Sequence, residues 1–119
     1  MKRDFDLVKK IMLHIEEHDN LDFDYIDDDQ QLVAYHVAIL NEANLIHAVS
    51  VPALNGTYVL QDTGSTRLTW EGHEFLDAAR NPSIWEKAKT KVASAGGAVS
   101  FAVITKLLQQ LVTETLGMK

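Results

Sequence analysis

Cysteine is absent from the 119 residues, which excludes a disulfide framework, a thiolate metal site and a cysteine nucleophile. No apolar run reaches the ~18 residues that a bilayer-spanning helix requires. Met1-Lys2-Arg3-Asp4 leads into an acidic stretch and not into a signal-peptide hydrophobic segment. The expectation is a cytoplasmic chain that does not enter a membrane. Proline is scarce, at Pro52 and Pro82 alone, and no proline-rich or serine-rich linker, low-complexity tract or internal repeat divides the sequence. A chain this short builds one hydrophobic core. One domain over residues 1–119 is therefore expected, with a core at 1–80 and a helical extension at 81–119.

What is present is ordinary globular composition, 46% apolar and 24% charged, with the charge unevenly spread. Residues 1–50 hold eleven acids, Asp4, Asp6, Glu16, Glu17, Asp19, Asp22, Asp24, Asp27, Asp28, Asp29 and Glu42, against Lys2, Arg3, Lys9 and Lys10, a balance of −7. Residues 81–119 carry Lys87, Lys89, Lys91, Lys106 and Lys119 against Glu86 and Glu114, a balance of +3. A polyanion is steered to the back half and repelled by the front.

Apolar spacing predicts a first helix capped by Asp4, with Phe5, Val8, Ile11, Met12 and Ile15 inward, ending near His18. The acidic stretch 19–29 reads as a loop or a short strand. A second helix begins at a capping box of Asp28 and Gln31, runs inward through Leu32, Val33, His36, Ile39, Leu40 and Ala43, and stops at Asn44. Ile46 to Val51 reads as a strand, Asn55-Gly56 as a hairpin turn, Thr57 to Gln61 as the returning strand, and Arg67-Leu68 as a third short strand after a turn at 62–65. Thr69 caps a helix carrying Trp70, Phe75, Leu76 and Ala79, which Asn81-Pro82 terminates. Ser83 and Glu86 form a capping box for a helix with Ile84, Trp85, Ala88 and Val92 inward, stopped by Gly96-Gly97. The last helix, Ser100 to about Leu116, presents Phe101, Val103, Ile104, Leu107, Leu108, Leu111 and Val112. The fold class is α+β: helix, helix, hairpin and helix in winged-helix-like order, with additional C-terminal helices.

Several blocks carry a resemblance. Met1-Lys2-Arg3-Asp4, Asp6-Leu7-Val8, Ala34-Tyr35-His36, the run from Arg67-Leu68-Thr69-Trp70-Glu71-Gly72-His73-Glu74-Phe75-Leu76 to Asp77-Ala78, and Gly96-Gly97 with Ser100 are similar to the domain of unknown function 2513 family of small bacterial and prophage proteins. The similarity covers nearly the whole chain. It implies a winged-helix-like protein encoded near mobile elements and brings no catalytic residue or cofactor. The Asp27-Asp28-Asp29 run departs from the family's pattern and weakens a DNA-binding reading.

No catalytic template is satisfied. His14-Ile15-Glu16-Glu17-His18 fits the H-x-x-E-H pattern of inverted zinc peptidases, but a third ligand and a cleft are missing, and an ordinary solvated helix end accounts for both histidines. His36 lies on an apolar phase and reads as a hydrogen-bonded packing residue. His73 and Glu74 read as a solvated face. No serine sits in a G-x-S-x-G elbow, and Gly96-Gly97 lacks the Lys and Ser/Thr of a phosphate loop. The chain is expected to be no enzyme, with no cofactor and no metal.

Three binding readings remain. A protein-interaction module comes first, with Asp28, Asp29, Gln30, Tyr35, Asn55, Lys87, Lys91, Leu108 and Leu111 as candidate surface residues and a homodimer through residues 100–116 as one form of it. The alternative is a winged-helix DNA-binding regulator, disfavoured because the second helix has no Lys or Arg for phosphate contacts. A further alternative is an acidic decoy that occupies a nucleic-acid-binding enzyme.

Overall fold

The computed structural model describes residues 4–23, 25–27, 29–52, 58–61, 66–96 and 101–117. Among them are α1 (Phe5–His18), α2 (Gln30–Glu42), β1 (Ile46–His47), β2 (Val49–Pro52), β3 (Tyr58–Gln61), β4 (Arg67–Leu68), α3 (Trp70–Ala79), α4 (Pro82–Ser94) and α5 (Phe101–Thr115). The class is α+β, mostly helical with two small antiparallel sheets. Two compact units, Met1–His73 and Glu74–Lys119, divide inside α3. None of the helices described is long and apolar enough to cross a membrane.

In the first unit, α1 starts where expected. Asp4 Oδ1 accepts from the N–H groups of Asp6 and Leu7 at 3.0 and 3.2 Å, satisfying donors that have no partner within the helix. Asp19, in the left-handed region at φ 53°, ends it. Leu7, Val8, Ile11, Met12 and Ile15 are buried, and α1 packs on α2. The cap of α2 is Asp29, one residue beyond the expected Asp28. Asp27 Oδ1 takes the Asp29 N–H at 2.8 Å, and this local turn aims the Asp29 carboxylate at the Leu32 N–H, 3.1 Å away. Asn44 supplies the expected left-handed stop, at φ 63°.

The hairpin pairs β2 with β3 from Val49↔Gln61 to Pro52↔Tyr58; its expected turn at Asn55-Gly56 and the second turn at 62–65 lie outside the described residues. The single strand expected over Ile46–Val51 is divided at Ala48. The Ala48 N–H donates to Asn41 Oδ1 at 3.3 Å, which withdraws that position from the ladder. β1 then pairs with β4 through Ile46↔Leu68 and His47↔Arg67.

The second unit buries Phe75, Leu76, Ala78 and Ala79 from α3, Ile84, Trp85, Ala88 and Val92 from α4, and Ile104, Leu108 and Leu111 from α5. Helices α4 and α5 pack together, and Phe75 meets the Trp85 ring edge-on at 6.4 Å. The expected Ser83–Glu86 box is replaced by a cap at Asn81, whose Oδ1 accepts from Ser83 and Ile84 at 3.0 and 3.2 Å. Pro82 causes the shift: with φ fixed and no N–H, it suits the first helical position, so the cap falls on the residue before it.

Candidate functional site

The first turn of α3 is fixed to the end of α2 by a set of short bonds. Thr69 accepts the Gly72 N–H on Oγ1 at 3.0 Å, donates its hydroxyl to the Asn44 carbonyl at 2.7 Å, and donates its backbone N–H to the Leu45 carbonyl at 3.1 Å. Gly72 permits this approach, because a Cβ there would overlap the Leu45 carbonyl oxygen. On the outside of this fixed turn stands Trp70, 76% exposed, with Glu71 and His73 also exposed beside it. The sequence reading grouped Trp70 with Phe75, Leu76 and Ala79 on one face. At 100° per residue, Trp70 lies more than 100° from each of those three, and the structure places it in solvent.

A second constellation lies between α1 and the following loop. His14, expected to be solvated, is only 5% exposed. Its Nε2 is 2.7 Å from Asn20 Oδ1, and its Nδ1 is 2.6 Å from the Tyr25 hydroxyl. The same Asn20 oxygen accepts the Asp22 N–H at 3.0 Å. An atom accepting from a backbone N–H must be the oxygen, so His14 Nε2 carries the hydrogen it gives to Asn20, and in the neutral imidazole Nδ1 receives the Tyr25 hydroxyl. Phe23 meets the imidazole edge-on at 4.8 Å, and the His18 ring lies 4.7 Å away. Lys10, Leu13, His14, Glu17, Tyr25 and Ile26 line an open cavity of about 340 Å³. Both His14 nitrogens are thus committed within the H-x-x-E-H pattern. Among the described residues no three His, Asp or Glu side chains are grouped to hold a metal ion.

The sequence-predicted surface residues do not form one site. Asp29 serves as the α2 cap. Gln30 donates from Nε2 to the Asp27 carbonyl at 2.7 Å, bracing the loop, and half-buried Tyr35 packs against the His36 ring edge-on at 5.4 Å. Lys87 and Lys91 are exposed on α4, one turn apart. Leu108 and Leu111, expected as docking residues, are instead buried at 0% and 4% exposure. Ile104, Leu108 and Leu111 of α5 face the interior, Leu107 and Val112 are half-buried, and Val103 and the adjoining Leu116 are exposed. Asp28 and Asn55 lie outside the described residues.

Residues 2–98 match a family described as Hypothetical protein (DUF2513). An uncharacterized protein of Haemophilus influenzae is 31% identical over 122 aligned residues, covering 98% of this chain and 100% of that relative. No solved structure matches the chain.

Proposed function

The chain belongs to the DUF2513 family, and we propose that within it this protein is a non-enzymatic protein-interaction module anchored by Trp70. The observation that carries the reading is a tryptophan 76% exposed on a backbone turn that Thr69, Asn44, Leu45 and Gly72 hold in place. An indole left in water is an unusual expense for a folded domain, and tryptophan is enriched among the residues that dominate binding energy at protein interfaces. A preformed turn also reduces the ordering cost on association. Glu71 beside it and the −7 balance of residues 1–50 favour a partner whose indole-sized apolar pocket has a basic rim.

The proposed architecture is winged-helix-like, with α1 and α2 followed by the β2–β3 hairpin as wing and by α3. Duplex DNA fits this surface poorly. Helix α2, which a winged-helix reader would lay in the major groove, has Val33, Ala34, His36, Val37, Ala38 and Leu40 buried and carries no Lys or Arg. Two acids of the preceding loop are engaged locally, Asp27 with the Asp29 N–H and Asp29 with the Leu32 N–H, which accounts for these two without a decoy role. Affinity capture from the native cell, with and without nuclease, tests the assignment: protein partners that survive nuclease support it, and partners retained only through nucleic acid contradict it.

A further inference from the structure

The hydrogen-bond chain Tyr25–His14–Asn20 has the connectivity of a nucleophile, its base and the group that orients the base. Asn20 Oδ1, fixed by the Asp22 N–H, holds His14 Nε2–H at 2.7 Å. This turns Nδ1 onto the Tyr25 hydroxyl at 2.6 Å. His14 is buried while Tyr25 is 70% exposed, so the base is screened from water and the phenol is open to an incoming molecule. Tyr25 lines, together with His14, the cavity that Leu13 and Ile26 make apolar and Lys10 makes cationic. Lys10 and Glu17 of α1 line the same cavity, and the His18 ring lies beside His14.

We propose that Tyr25 is an acyl-acceptor site, with His14 as its base and Asn20 as a positioning residue. The ligand class is an activated ester with an apolar acyl group and a carbonyl oxygen that gains negative charge on attack. Tyr25 Oη forms a bond to the carbonyl carbon, and its proton passes to His14 Nδ1. Lys10 lies on the cavity wall to favour the developing oxyanion. The bond from the carbonyl carbon to the leaving oxygen then breaks. With p-nitrophenyl acetate the products are O-acetyl-Tyr25 and p-nitrophenolate, and the imidazolium returns its proton to solvent.

The test treats full-length protein with p-nitrophenyl acetate and maps acetylated tyrosines by mass spectrometry. Tyr25 is expected to react about a hundredfold faster than Tyr35 and Tyr58, the lower end of the gain from a positioned base. Because exposure alone favours Tyr25 over half-buried Tyr35, the deciding comparison is with Asn20→Leu and Asn20→Asp. The first loses the acceptor for Nε2–H and is expected to slow Tyr25 acetylation severalfold; the second retains an acceptor and is expected to keep the rate. Equal rates in wild type and a folded Asn20→Leu, or a loss in Asn20→Asp as large as in Asn20→Leu, overturn the proposal.

Discussion

The backbone N–H of Asp4, the residue that caps α1, donates to His36 Nε2 at 2.8 Å from the interior of α2, 32 positions away. The other ring nitrogen gives its hydrogen to the Leu32 carbonyl at 2.8 Å, so the imidazole bridges two helices as a neutral ring with its hydrogen on Nδ1. His36 is completely buried and has both nitrogens satisfied, as a core histidine must. Replacing it with Phe keeps an aromatic ring, though a larger one, and leaves the Asp4 N–H without its acceptor. We expect a loss of about 1–3 kcal/mol, and about 2–4 kcal/mol for His36→Ala, where a cavity is added. Urea denaturation followed by circular dichroism measures both, and an unchanged midpoint in His36→Phe contradicts the bridge.

Two glycines separate steric from conformational demand. Gly72→Ala drives a methyl into the Leu45 carbonyl oxygen, which can yield only if α3 shifts. The expected loss is about 3 kcal/mol, the upper end for overpacking. At Gly96, with φ 91°, an added Cβ meets no neighbour among the described residues, so Gly96→Ala is expected to cost only about 1 kcal/mol, from backbone strain. Equal midpoints for the two variants would refute the close approach.

The cap of α4 gives a local test. Asn81→Ala removes an acceptor from the Ser83 and Ile84 N–H groups and is expected to cost about 1 kcal/mol. Ser83→Ala, inside the helix, is expected to be nearly neutral. The reverse order of effects restores the Ser83 box.

The two tryptophans have opposite surroundings, Trp70 at 76% exposure and Trp85 at 3%. Acrylamide is therefore expected to quench one accessible and one protected fraction of the emission. Trp70→Phe is expected to abolish the accessible fraction without moving the denaturation midpoint. A single protected fraction in wild type contradicts the exposed indole.

Much of this structure is written in short-range signals. The Asp4 cap, the stripe from Val8 to Ile15, the Asn44 stop and the satisfied His36 follow from helical spacing and backbone chemistry that a sequence displays directly. Two side chains were misplaced although the signal was present. His14 continues the stripe of Leu7 and Ile11 at i, i+4 and i+7, which marks it as buried, and Trp70 is out of phase with Phe75 and Leu76. What spacing does not carry is the outcome of competition for single donors and acceptors. Asp27 orients Asp29 as the cap of α2 in place of the expected Asp28–Gln31 box, and Asn41 takes the Ala48 N–H and divides the strand. The Tyr25–His14 pair depends on loop bonds from Asn20 that no periodicity encodes. Leu108 and Leu111 present an apolar stripe to either a partner or an interior, and only the packing of α5 decides between them.

The central claim, that Trp70 anchors a protein partner, is tested most directly by the affinity of one nuclease-resistant partner for wild type and for Trp70→Ala, measured by calorimetry on purified proteins. An interface anchor of this kind contributes at least about 2 kcal/mol, so the account predicts at least about a 30-fold rise in Kd with the denaturation midpoint unchanged. A Kd for Trp70→Ala within twofold of wild type contradicts it.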